Sequence, residues 1–246
     1  MIEPQIIACR DAADLSERAA EEFVRQARQA IQTAGRFTVG LSGGSTPKAL
    51  YTRLALPGYA EQIRWSCVHF FWGDERCVAP DHPESNYRMV QEALLGKISI
   101  PAENVHRMAG EKEPQIAAAE YEAELKRFFK LPASALPRFD LILLGLGEDG
   151  HTASLFPGTE ALNDAQHLAA AVYVEKLKAH RLTLTLPVLN EGAEVVFLVA
   201  GASKAAVVKE VLGGQAAATN YPAAKIQPRD GKLIWMITAD AAPPES

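Results

Sequence analysis

Short apolar runs alternate along the chain with stretches in which apolar residues return every three or four positions. Several runs are continuous blocks of aliphatic and aromatic residues, which is typical of strands covered on both faces. The predicted strands are 6–8, 37–41, 68–72, 139–144, 182–186, 195–199 and 233–237. The helical periodicity predicts helices over 15–32, 47–54, 87–95, 114–129 and 204–212.

This alternation favours right-handed βαβ crossovers, so we predict an α/β fold with a mostly parallel open sheet and helices on both faces. Ligands of such sheets bind in loops beyond the carboxyl ends of the strands. No repeat or linker divides the sequence, which predicts a single domain over residues 1–246. The last residues, 241–246, contain Pro243 and Pro244 and are expected to form a flexible tail.

The net charge narrows the classes of function. The chain has 246 residues and a formal charge of -5 at pH 7, whereas a general nucleic-acid binder needs a basic surface.

We find no leader pattern and no apolar run near the roughly 18 residues of a membrane span. Cys9, Cys67 and Cys77 lack metal-type spacing. We expect a cytoplasmic monomer or weak homo-oligomer with no metal, cofactor, nucleic-acid partner or membrane partner.

Glycines and hydroxyls follow the predicted strand 37–41. The loop consists of Ser42, Gly43, Gly44, Ser45 and Thr46. Thr46 is the expected N-cap of the next helix and Pro47 its first residue. Glycine lets the backbone approach a ligand, and unpaired N–H groups at a helix start attract anions. The loop therefore suits a phosphate or a sugar hydroxyl, although a plain strand-to-helix turn uses the same residues.

Charged residues follow the predicted strand 68–72. Arg76 suits a phosphate because its guanidinium is a rigid fork of donors, while Asp74 suits orienting a base or accepting a substrate hydroxyl. A surface ion pair would use the same residues. Asn86 stands at the next predicted helix start, either as a cap or as a substrate contact.

A glycine-rich loop with a histidine follows the predicted strand 139–144. Residues 145–150 match a GxGxxG pattern, but a Pro-Gly pair follows too soon for the helix that a dinucleotide site requires. His151, beside two carboxylates, is suited to general acid–base chemistry near neutral pH. An ordinary hydrogen-bonding histidine is the alternative.

Two further cations stand near predicted strand ends. Arg181 precedes the alternating segment 182–186, and Lys204 opens a predicted helix after the strand 195–199. A lysine at a helix start is unfavourable for the helix dipole, so a bound anion would explain it. Solvated or paired side chains are the alternative.

Six motifs in this order resemble the 6-phosphogluconolactonase family. They are GLSGGSTPKALY from Gly40, WGDERCVAPDHPESNYRM from Trp72, FDLILLGLGEDGHTASLFPG from Phe139, HRLTLTLPVLN from His180, GASKA from Gly201 and YPAAKIQP from Tyr221. The resemblance implies a modified Rossmann fold shared with sugar-phosphate deaminases and isomerases. It implies a hydrolase of the pentose phosphate pathway that acts on a small sugar-phosphate lactone.

The resemblance also implies roles for individual residues. His151 would be the catalytic base and Asp74 its acidic companion. The sugar phosphate would be bound by Arg76, Arg181, Lys204 and the loop from Ser42 to Thr46.

Two other functions stay open from the sequence. A deaminase or isomerase could use the same scaffold, but the deaminase pattern places a glutamate five residues after the histidine, where this chain has Phe156. A non-catalytic sugar-phosphate sensor would need an output module, and no segment of the sequence is left over for one.

Overall fold

The computed structural model describes residues 3–213 and 220–243. The strands are β1 (Gln5–Cys9), β2 (Phe37–Leu41), β3 (Val68–Trp72), β4 (Asp74–Arg76), β5 (Val105–His106), β6 (Leu141–Leu144), β7 (Ala169–Val174), β8 (Ala179–Leu184), β9 (Glu194–Val199) and β10 (Lys232–Thr238). The helices are α1 (Ala12–Ala34), α2 (Ser45–Leu54), α3 (Pro57–Ala60), α4 (Asn86–Ala93), α5 (Pro114–Phe129), α6 (Leu186–Leu189) and α7 (Ala205–Leu212).

The main sheet has seven strands in the order β1-β10-β9-β6-β2-β3-β5. All of its strand pairs are parallel. Every residue of β2, β6 and β9 is buried, so the centre of the sheet is covered on both faces. The predicted α/β fold with a mostly parallel sheet is confirmed.

A second, antiparallel sheet of three strands, β4-β8-β7, was not predicted. The predicted strand 182–186 belongs to it as β8, which starts and ends earlier in the chain. Its apolar–polar alternation fits an antiparallel strand. The partner β4 has only three residues, too few for a periodicity to show in the sequence. Asp74 pairs with Thr183 and Arg76 with Arg181, and this register fixes where the four residues lie on the second sheet.

The helix boundaries correct two predicted caps. Helix α2 begins at Ser45, and its N-cap is Gly44 with φ 103°, not Thr46. A left-handed φ of this size strains a residue with a Cβ but not glycine. Pro47 lies in the first turn, where its missing N–H costs no helical hydrogen bond. At α4 the cap is Ser85, whose side chain accepts from the backbone N–H of Arg88, so Asn86 is not the cap.

Aromatic side chains pack together in the core around the main sheet. Phe23 of α1 packs edge-to-face on Phe37 of β2, with ring centroids 5.3 Å apart. Phe197 of β9 stacks on Trp235 of β10 at 4.0 Å.

The predicted flexible tail, 241–246, is only partly described. Ala241 is fully buried, and residues 244–246 lie outside the described residues. Over 3–213 and 220–243, no helix combines the length and apolarity needed to cross a membrane.

Candidate active site

Four loops meet at the carboxyl edge of the main sheet around a cavity of about 290 Å³. They follow β2, β3, β6 and β9, four strands that are neighbours in the sheet. The polar and glycine residues that line the cavity are Ser42, Gly43, Gly44, Ser45, Thr46, Asp74, Arg76, Gly145, Gly147, His151, Thr152 and Lys204. Because parallel strands end at one edge, most of the residues predicted for the site lie together here.

His151 is held by its own loop. Its Nδ1 lies 2.5 Å from Asp149 Oδ1, and its backbone N–H donates to the same oxygen at 3.2 Å. The ring of Phe156 stacks on the imidazole with centroids 4.1 Å apart and planes 21° apart. With Nδ1 engaged by a carboxylate, Nε2 is the nitrogen left to exchange a proton with a substrate.

Gly147 is required for this arrangement. A Cβ added at Gly147 would lie 1.9 Å from His151 Nδ1 and 2.7 Å from Asp149 Oδ1. The backbone N–H of Gly147 donates to the carbonyl of His151 at 2.8 Å, which closes the loop behind the ring. The glycine therefore makes room for the imidazole, a packing role that the rejected dinucleotide pattern did not reveal.

The carboxylate that contacts His151 is Asp149, and Asp74 is not its hydrogen-bond partner. Asp149 is also bound by Lys176, whose Nζ reaches Oδ2 from the turn after β7. Burial works against ionisation of Asp149, but the hydrogen bonds from Lys176 and His151 outweigh it and lower the pKa of Asp149 to about 2. Asp149 is therefore a carboxylate at neutral pH, which orients the imidazole and favours the imidazolium.

Asp74 is buried against polar groups in the wall of the same cavity. Its Oδ2 accepts from Ser154 Oγ at 2.8 Å, and its Oδ1 accepts from Asn86 Nδ2 at 3.3 Å. Asn86 also donates to the Asp74 carbonyl at 2.9 Å, and a Cβ on Gly43 would collide with its side chain. Asn86 thus holds the β2 loop and β4 together from behind instead of lining the cavity.

Glu75 ties β4 to the start of α4. Its carboxylate accepts backbone N–H groups of Arg76, Asn86 and Tyr87 at 2.7–2.8 Å and the hydroxyl of Ser85 at 3.1 Å. Burial raises its pKa despite these donors. Residues alternate in direction along a strand, so Glu75 turns inward while Asp74 and Arg76 both reach the cavity.

The structure brings together two of the three predicted phosphate-binding cations. Arg76 and Lys204 line the cavity, and Lys204 Nζ lies 3.8 Å from Glu148 Oε1 of the opposite loop. Arg181 instead lines a neighbouring cavity with Cys77. It pairs with Arg76 across the second sheet, where burial and the charge of Arg76 lower its pKa. Arg181 is thus not among the residues that line the binding cavity, and its role in phosphate binding stays a prediction.

Tyr51 fixes the loop from Ser42 to Thr46 from below. Its hydroxyl accepts from the Ser42 N–H at 3.0 Å and donates to the Ser42 carbonyl at 2.9 Å. The loop is thereby anchored to α2, and all five of its residues line the cavity. No sequence signal set Tyr51 apart from the other apolar positions of the helix.

Comparison with known proteins decides the family. A family model described as "Glucosamine-6-phosphate isomerases/6-phosphogluconolactonase" matches residues 10–235. This chain belongs to that family. A 6-phosphogluconolactonase of Synechocystis sp. is 44% identical over 239 residues, which cover 97% of each chain. One of Nostoc sp. is 42% identical over 232 residues, or 94% of each chain. The resemblance found in the motifs is confirmed.

A solved structure supports the same assignment. The 6-phosphogluconolactonase from Trypanosoma cruzi is similar to this chain with a TM-score of 0.85 and 29% identity, covering 97% of this chain and 95% of that one. Over residues 3–213 and 220–243, no group of three or more His, Cys, Asp or Glu side chains is arranged to hold a metal ion.

Proposed function

We propose that this chain hydrolyses 6-phospho-D-glucono-1,5-lactone to 6-phospho-D-gluconate, the second step of the oxidative pentose phosphate pathway. The observation that carries the proposal is the ionised Asp149 on His151 Nδ1, at a cavity that also contains two cations and a glycine-rich loop. Relatives that are 42–44% identical over nearly the whole chain bear the name of this enzyme.

The reaction needs one base and one anion site. His151 Nε2 takes a proton from a water molecule, whose oxygen attacks the C1 carbonyl and forms a tetrahedral oxyanion. The oxyanion collapses, the bond from C1 to the ring oxygen breaks, and the imidazolium returns its proton to that oxygen. Asp149 stabilises the imidazolium between these two transfers.

The phosphate is far from C1 in the substrate, so its binding orients the lactone. Arg76, Lys204 and the N–H groups and hydroxyls from Ser42 to Thr46 are the groups for this task in the cavity. We assign Asp74 to the sugar hydroxyls, because it lines the cavity but is not bonded to the imidazole. Arg181 contributes positive charge from the adjacent strand position.

The site is less suited to the deaminase alternative. Phe156 occupies the position of the deaminase glutamate, and its ring lies flat against His151. An aromatic ring cannot donate or accept the proton that sugar-ring opening requires. We therefore propose that this chain does not release ammonia from glucosamine 6-phosphate and does not act as a sensor. We further propose a cytoplasmic monomer or weak homo-oligomer that works without a metal or cofactor.

The test is a coupled assay in which a dehydrogenase generates the lactone and its disappearance is compared with the uncatalysed rate. His151→Ala should lower kcat by roughly a hundred- to ten-thousand-fold, the usual contribution of a positioned base. The matched control is His167→Ala. His167 also contacts an aspartate through Nδ1, 3.0 Å from Asp164, but it lies on the surface away from the cavity. Equal kcat in the two variants would contradict the assignment of His151.

A further inference from the structure

Lys176 contacts both of the groups that hold His151. It belongs to the turn Glu175–Leu177 between β7 and β8, and its side chain is 52% exposed. Its ammonium binds Asp149 Oδ2 and lies 4.9 Å from the centroid of the Phe156 ring. Lys176 is not among the residues that line the substrate cavity; it lies behind its wall.

The two contacts act on different motions of the imidazole. Asp149 uses Oδ1 for His151 and Oδ2 for Lys176, so its carboxylate is held at both oxygens, which opposes rotation away from Nδ1. The cation over the face of Phe156 holds that ring against the imidazole, because ammonium groups are attracted to aromatic faces. Together they restrict both the in-plane direction and the tilt of His151.

We propose that Lys176 is a positioning residue for the reaction: it holds Asp149 and Phe156 in place around His151 without touching the substrate. This inference rests on the proposed function, in which His151 is the base. It assigns a role in catalysis to a partly exposed lysine that lies 25 residues beyond the histidine in the sequence.

The charge of Lys176 reaches the Asp149–His151 pair through its contact with Asp149. The other charged groups around the pair and behind the wall are Glu148, Glu160, Glu175, Asp74, Arg76 and Lys204. None of them is bonded to Asp149 in the described residues, so a charge change at position 176 acts on the pair directly.

The experiment measures kcat and KM for the 6-phospholactone. Lys176→Met should lower kcat by about 5- to 30-fold, the combined loss expected for an exposed ion pair and a cation–π contact. KM should stay within about twofold, because the phosphate-binding groups are unchanged.

Two variants separate this role from a general structural one. Lys176→Arg keeps the charge and should recover most of kcat, with KM unchanged. Lys178→Met removes a lysine charge two residues along the chain and should leave both unchanged. A thermal melt of each variant tests folding, and Lys176→Gln replaces Lys176→Met if the latter does not fold.

A double variant and His151→Ala distinguish the two proposals. If His151 is the base, Lys176→Met added to His151→Ala should cause no further loss of kcat. Full activity of His151→Ala would refute the base assignment, and with it the role of Lys176. If His151→Ala is inactive but Lys176→Met has wild-type kcat, only the inference on Lys176 is overturned. A loss confined to KM, or an equal loss in Lys178→Met, would also overturn it.

Discussion

Lys204 offers the sharpest test of phosphate binding. Its side chain is 23% exposed and lines the cavity. Among residues 3–213 and 220–243 it makes one ion pair, a 3.8 Å contact with Glu148, whose side chain is 66% exposed. An ion pair that long and that exposed adds less than about 1 kcal/mol to stability. Lys204→Met should therefore fold, and a loss that depends on the substrate phosphate can be assigned to the lost ammonium.

The magnitude follows from the chemistry of the contact. A charge-assisted hydrogen bond to a phosphate contributes roughly 1.5 to 3 kcal/mol. Lys204→Met should thus lower kcat/KM for the 6-phospholactone by about 10- to 150-fold. For unphosphorylated gluconolactone, which should already be a very poor substrate, kcat/KM should change by less than about twofold, because its carbonyl and the His151 base are unaffected.

Arg181→Met is the matched comparison, because Arg181 is also a cation near the site but lines a different cavity. Its charge acts on the phosphate only through space and solvent, so the expected loss is less than about fivefold. The assay determines kcat/KM for both lactones with wild type and both variants, and inorganic phosphate should inhibit wild type competitively. A larger phosphate-dependent loss in Arg181→Met than in Lys204→Met would refute the placement of the dianion. Equal proportional losses on the two lactones would refute phosphate binding by Lys204.

Two further predictions concern other parts of the chain. Gly147→Ala should lower kcat by about a hundredfold, because its methyl group would occupy the position of the His151 ring. Gly58→Ala is the control and should keep kcat, because nothing lies within 4 Å of a Cβ added there. Equal kcat in the two variants would contradict the packing argument. Burial and the nearby Glu22 carboxylate raise the pKa of Glu194 from 4.5 to about 8, so this group stabilises the fold at low pH and loses that contribution as pH rises from about 4.5 to 8. Urea denaturation measures the free energy of unfolding of Glu194→Gln and of wild type at pH 5 and pH 9. The variant should exceed wild type by more at pH 9 than at pH 5, and the opposite order would exclude a raised pKa of Glu194.

The carboxyl-end loops show what local sequence can specify. The alternation of apolar blocks and amphipathic stretches predicted the parallel sheet, because strand and helix periodicities involve only neighbouring residues. Strand ends then placed the loop from Ser42 to Thr46, Asp74 and His151 at one edge of that sheet, since parallel strands end on the same side. The family motifs added the reaction, which turn chemistry alone left open.

The contacts between these loops depended on the tertiary structure. Arg181 stands next to a conspicuous alternating strand, yet the register of β4 with β8 places it opposite Arg76 and outside the cavity. Asparagine is a common helix cap, but the side-chain amide of Asn86 instead donates a hydrogen bond to the Asp74 carbonyl and links α4 to β4. Side-chain direction at a strand end is set by pairing with a partner strand that is distant in sequence, and no local pattern records it.

The partners of His151 show the same division within one site. The sequence by itself determined that a histidine beside carboxylates follows a buried strand, and it put Asp149 two residues away. Only the folded chain decided that Asp149, and not Asp74, takes Nδ1, and that Lys176 binds the other carboxylate oxygen from a separate turn. The physical reason is that hydrogen bonds join atoms that folding brings within about 3 Å, while periodicity and turn chemistry report only on residues that are already neighbours in the chain.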